Sequence, residues 1–178
     1  ALGLRKTITL SVDGQSRTIT TYALTVGGLL RLEDVPLAEQ DSLDPPVNNW
    51  LKNHQTVKLI RAIPIQIWAD DRLVSFTSHQ RLPKILLTEA NLALGPGDRI
   101  LTQGRNWEID QPFPEKRAAI SIQILRAVNF SLVDEEQTYT LTSSAITLGQ
   151  ALEEAGFSLY AADRLDPPAA VGLDRDAV

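Results

Sequence analysis

Three aspartates, Asp41, Asp98 and Asp163, fall at the same place when the chain is aligned on itself. Carboxylates set among turn carbonyls are the donors that hard divalent cations take. A cation site needs several acids, though, and the second copy lacks the further carboxylate that Asp44 and Asp166 supply in the other two. Capping of a turn by the Asx side chain is the stronger reading. The two histidines, His54 and His79, belong to no metal spacing and no nucleophile arrangement, and His79 aligns with Ser144, as suits a solvent-facing loop. Gly27-Gly28 fits neither phosphate-binding motif, and local packing explains it better. The absence of cysteine removes thiolate nucleophiles, disulfides and Cys-based metal sites together. No catalytic residue, metal or cofactor is therefore expected.

The tryptophans are the remaining residues with recognition chemistry, because an exposed indole offers a flat apolar face on which a sugar ring can stack. Trp50 and Trp107 are the candidate ligand contacts, since Asn49-Trp50 and Asn106-Trp107 lie equally far beyond Asp41 and Asp98. The competing and favoured reading is that both fill the core beside a helix or seal a joint. Trp68, on an alternating strand at a position that is Val133 further on, reads as core.

What positions these residues is a repeated module. Arg61-Ala62 slides onto Arg126-Ala127 with a shift of 65 (126 minus 61), and Thr21–Pro46 onto Ser143–Pro168 with a shift of 122 (168 minus 46). Three ubiquitin-like repeats are expected: residues 1–60, residues 61–125 with an inserted polar loop at 108–118, and residues 126–178, the last C-terminally truncated or completed differently. Each begins with alternating apolar residues (TITLSV, IPIQIW, VNFSLV), the period of a half-buried strand. Polar turns follow at Asp13-Gly14 and, more weakly, at Asp70-Asp71 and Asp134-Glu135, so each pair of strands forms a hairpin.

A short helix comes next. Thr25 and Thr147 are its N-caps, whereas the second copy has Leu82 there with Pro83 as partial compensation. Asp34, Asn91 and Gly156 mark the helix end, being residue types that tolerate a left-handed backbone. Leu37, Leu94 and Leu159 then anchor an extended segment, and closing strands at 56–60 and 119–125 run into the next repeat without Gly or Pro. Hairpin, helix and further strands on one sheet give an α+β class of tandem β-grasp (ubiquitin-like) units in an elongated array. Any specific function is expected where the copies differ, above all in the loop after Trp107.

Composition sets the remaining bounds. Hydrophobic content of 43% with 22% charged residues is that of a folded chain. Units of this size sit near the lower limit for an independent core, so neighbours should help to stabilise each one. The net charge of −5 and scattered basic residues argue against nucleic acid, whose binders gather Lys and Arg into a stripe. No apolar run is long enough to span a bilayer. The chain lacks methionine and opens on Ala1-Leu2-Gly3-Leu4 before Arg5-Lys6, as though excised from a longer protein just after an apolar anchor or signal.

The recurrent string, an alternating strand, T-T-x-x-T-V/L-G-x-x-L, a helix ending at a left-handed residue, D-x-L-D-P-P and a closing strand leading to R-A, resembles a bacterial repeat catalogued as a domain of unknown function. That repeat is found in resuscitation-promoting factors and related cell-wall proteins. The second copy departs from it at Leu82, Ile100-Leu101-Thr102 and the inserted loop. The resemblance implies an extracytoplasmic, non-catalytic spacer that positions a separate peptidoglycan-active or adhesive domain. Its implied partners are peptidoglycan or cell-wall polysaccharide, bound weakly, and neighbouring domains of the same chain. The alternative reading is a protein–protein interaction module that uses an exposed sheet face or edge. A hidden hydrolase would need a pocket with at least two perturbed titratable groups.

Overall fold

Strand β1 (Lys6–Val12) buries Ile8 and Leu10 on one face, and the turn at Asp13 (φ 51) and Gly14 (φ 80) returns it as β2 (Gln15–Thr21) in register from Lys6↔Thr21 to Val12↔Gln15. Two consecutive left-handed residues match the twist of a two-residue hairpin. These features belong to a computed structural model that describes residues 5–134, 136–160 and 163–173. The Ala1–Leu4 opening, Glu135 of the third turn, and Asp174–Val178 at the end lie outside the described residues.

The first repeat continues with α1 (Val26–Leu32), β3 (Ser42–Asp44) and β4 (Thr56–Ile60). Its sheet has the order β2-β1-β4-β3, with β4 parallel to β1 and β3 antiparallel to β4. Val26, Leu29 and Leu30 of α1 pack with Ile8, Leu10, Ile19, Leu51 and Val57, which makes the sheet-on-helix core of a β-grasp unit.

The second repeat contributes β5 (Ile63–Ala69), β6 (Arg72–Ser78), α2 (Pro83–Glu89), β7 (Arg99–Thr102), β8 (Arg105–Trp107) and β9 (Ile120–Leu125). Its five-stranded sheet runs in the order β6-β5-β9-β7-β8. The segment Ile100-Leu101-Thr102, which departs from D-x-L-D-P-P, becomes the first arm of a hairpin, turned by Gln103 (φ 50) and Gly104 (φ 74). Beyond it lie β10 (Val128–Asp134), β11 (Gln137–Ser143) and α3 (Leu148–Glu154), the strands pairing antiparallel from Val128↔Ser143 to Asp134↔Gln137. By compactness the chain divides into two units, residues 1–66 with 75–90 and 109–120, and residues 67–74 with 91–108 and 121–178.

The helix ends follow local chemistry. The Thr25 and Thr147 hydroxyls accept the N–H of Gly28 and Gln150 at 3.2 and 3.3 Å, while Leu82 offers no side-chain cap and Pro83 opens α2. Asp34, Asn91 and Gly156 have φ of 52°, 56° and 88°. Leu37 and Leu159 are 41% and 43% exposed, and Leu94 is half-buried, so this column does not anchor its segment by burial as the sequence suggested. The residues that close the core are instead Leu51 and, in the second repeat, Phe113.

Candidate functional site

The segment after each helix returns to that helix's first turn. In the first repeat, Val26 and Gly27 N–H donate to Asn49 and Val47 C=O at 2.9 and 2.8 Å, and Leu51 N–H donates to Leu24 C=O at 2.8 Å. In the third, Leu148, Gly149 and Leu173 make the same bonds to Val171, Ala169 and Ile146. Amides at a helix start have no partner inside the helix, so this returning strap satisfies two of them. It also explains the glycine in the T-x-G string. A Cβ on Gly27 would lie 2.6 Å from Val47 Cγ2, and one on Gly149 would lie 3.1 Å from both Cβ and C=O of Ala169.

In the second repeat the strap is built from the inserted stretch. Lys84 N–H donates to Ile109 C=O at 3.2 Å and Phe113 N–H to Arg81 C=O at 2.7 Å. Phe113 therefore takes the place of Leu51, a shift of 62 (113 minus 51), against 57 at Asp98 (98 minus 41) and 65 at Arg126 (126 minus 61). The extra residues are split across two places, and Pro112, not Trp107, corresponds to Trp50. Stretch 108–118 is a loop tied down at two points: Phe113 is 7% exposed and Glu115 pairs with Lys58 of β4 at 2.6 Å.

This corrects the tryptophans. Trp50 pairs its backbone with Thr25 and leaves its indole 67% exposed, while Trp107 is half-buried on β8 opposite Ile100. The two share no structural position, and Trp50 does not fill the core. Trp68 is 49% exposed because β5 buries Ile63, Ile65, Ile67 and Ala69, which leaves the even positions outward.

The acid column has a defined job. Asp41 Oδ2 accepts Ala38 N–H at 2.9 Å, Asp98 Oδ2 accepts Gly95 N–H at 2.8 Å, and Asp163 Oδ2 accepts Tyr160 N–H at 2.8 Å, each an Asx-type turn. The second oxygen reaches the joint: Asp41 Oδ1 accepts Ala62 N–H at 2.9 Å and Asp98 Oδ1 accepts Ala127 N–H at 2.8 Å.

The arginine just before each of those alanines completes a clasp that the sequence marked only as a boundary. Arg61 donates N–H to Asp13 at 2.8 Å and NH1 to Pro36 C=O at 3.1 Å, with its guanidinium 3.9 Å from Asp41. Arg126 donates Nε and NH2 to both oxygens of Asp70 at 2.8 Å, and NH1 to Asp98 and to Ala93 C=O at 2.8 and 2.7 Å. A planar fork of donors suits this bidentate grip. Burial raises the Asp98 pKa, but N–H bonds from Ala127 and Gly95 and the Arg126 guanidinium outweigh it and leave the carboxyl below its usual range. Asp70 is lowered chiefly by its hydrogen bond from Arg126. The Arg126 guanidinium is raised in turn, first by Asp70 and then by Asp98.

His79 Nδ1 lies 2.9 Å from Gln40 C=O, and His54 occupies a turn at φ 61. Among the described residues, no group of three or more His, Cys, Asp or Glu converges as a metal set, and no helix is long and apolar enough to cross a membrane.

Hairpin, helix, returning strap and parallel closing strand, fastened by an Arg–Asp clasp at the joint, define a protein of repeated ubiquitin-like units whose shared residues serve folding. Residues 8–48 and 130–170 each match the G5-linked ubiquitin-like domain family. Resuscitation-promoting factor Rpf2 of Corynebacterium glutamicum is similar to this chain, with 22% identity over 98% of it. The chain spans 47% of that relative's length.

Proposed function

We propose that the chain is a non-catalytic, wall-associated spacer region of a bacterial cell-envelope protein. It would consist of three repeats at residues 1–60, 61–125 and 126–178 and position a separate peptidoglycan-active or adhesive domain. The observation that carries this reading is the clasp, because the same Arg-Ala pair is fastened to the same two acids after both β4 and β9. A joint of two residues, each hydrogen-bonded into the repeat before it, is a device for fixing one unit after another rather than for forming a cleft. Arg99 of the second repeat also grips Glu154 of the third, with NH1 to Oε1 at 2.8 Å. Likeness to a resuscitation-promoting factor supports the envelope setting and an extracytoplasmic location.

Weak association with peptidoglycan is part of the proposal. Purified sacculi mixed with residues 1–178 and sedimented should carry a salt-resistant fraction of the protein into the pellet and release no soluble muropeptides. Complete recovery in the supernatant would remove wall association and leave the spacer. Release of muropeptides would overturn the non-catalytic reading.

A further inference from the structure

We propose that the pocket beside Trp68 in the second repeat is a saccharide subsite, in which the indole is the stacking platform and Asp71 and Gln123 bind ring hydroxyls. The pocket, about 630 Å³, is lined by Trp68, Asp70, Asp71, Gln123 and Arg126 together with Ala69 and the end of β9. That volume falls within the range of small-ligand sites. Sugar rings present an apolar C–H face and a rim of hydroxyls, so their sites combine one flat aromatic surface with planar polar groups at its edge. This pocket has that composition.

Two details separate it from ordinary surface. Asp71 sits at φ 56, where the first repeat has Gly14 at φ 80. A side chain in the left-handed region costs about 1 kcal/mol relative to glycine, yet among the described residues the Asp71 carboxylate meets no hydrogen-bond or ion-pair partner. The second repeat therefore accepts backbone strain to hold an unused carboxylate beside an exposed indole. Asp70 is different, since Arg126 grips both of its oxygens and makes it a rigid wall.

The other copies lack the combination. Ser11 and Gly14 stand at the Trp68 and Asp71 positions in the first repeat, and the pocket there is lined by Arg17, Arg61, Lys116 and Arg117 with no aromatic. The third repeat has Val133 in place of Trp68. Charge selects the ligand class as well. The Arg126–Asp70 pair cancels within the pocket and leaves one carboxylate, which favours hydroxyls of a neutral ring over a phosphate or polyanion.

The subsite deepens the wall-associated reading and rests on it for the source of the sugar. The test uses residues 1–178 and Trp68→Val, the residue of the third repeat, and Asp71→Gly, the residue of the first. Titration with chitotetraose, followed by tryptophan fluorescence and calorimetry, should show saturable binding that each substitution weakens about tenfold or more. Asp71→Gly should melt at or above the wild-type temperature, so that lost binding is not lost folding. No binding of chitotetraose by the wild type, or equal affinity in Trp68→Val, overturns the subsite. Sacculi that sediment Trp68→Val as well as wild type also overturn it while leaving wall association standing. If wild type fails to sediment but binds the tetrasaccharide through Trp68, the wall reading falls and the subsite remains.

Discussion

Arg126 NH1 lies 2.8 Å from Asp98 Oδ2, and the same carboxylate accepts two backbone N–H groups, so one side chain ties the turn after α2 to the joint that follows β9. The Asp98 side chain is only 6% exposed. Asp98→Ala leaves two amides and a guanidinium without their acceptor, at a cost of about 2 kcal/mol. Urea denaturation should show a lower midpoint with little change in slope. A midpoint unchanged from wild type would show that the clasp contributes nothing to stability.

The pH dependence follows from the same acids. Asp98 and Asp70 are both held below their ordinary pKa in the folded chain. A depressed folded-state value contributes stability above the unfolded value, about pH 4, which is lost as pH falls through the folded value. The melting temperature should therefore hold from neutral pH to about pH 5 and fall below about pH 4. Arg126→Gln, which withdraws the cation lowering both acids, should melt lower at neutral pH and decline less steeply in acid. Parallel acid limbs in the two proteins would contradict this assignment.

Gly27 tests the strap. A Cβ there meets Val47 Cγ2 at 2.6 Å and Val47 C=O at 3.2 Å, and the second contact is to backbone that cannot rotate away. Gly27→Ala should cost about 1–2 kcal/mol despite alanine's better helix propensity. Adding Val47→Ala should recover part of the loss in a double-mutant cycle. Strict additivity would mean that the two residues do not touch.

Trp50 separates the core reading from the observed one. With the indole 67% exposed, Trp50→Ala should change stability by no more than about 0.5 kcal/mol. A buried tryptophan would cost about 3 kcal/mol or more. Thermal melts of the single variant decide between them.

The strands and caps were legible because they are local. Alternation in TITLSV and IPIQIW and the types at Asp34, Asn91 and Gly156 each answer a constraint that acts within a few residues. The clasp was not, since Arg61 lies 48 residues from Asp13 and Arg126 lies 56 from Asp70, and no periodicity joins them. Its one trace is that Arg-Ala recurs after each pair of acids, Asp13 with Asp41 and Asp70 with Asp98, though at a shift of 65 (126 minus 61) against 57 for the acids (98 minus 41). The shared Asn-Trp pair aligns Trp107 with Trp50, whereas the backbone bonds of Ile109 and Phe113 set the true register. Trp68 reads as core from its place on an alternating strand, although the alternation itself puts it on the outer face.

The central claim is that the residues shared among repeats build architecture while binding resides where the second repeat differs. Amide chemical-shift mapping of residues 1–178 against glycan fragments solubilised from purified sacculi by a muramidase tests it most directly. The account predicts perturbations gathered at Trp68, Asp71 and Gln123, with Asp41 and Asp163 unmoved. Perturbations spread evenly along residues 1–178, or none at saturating glycan, would contradict it.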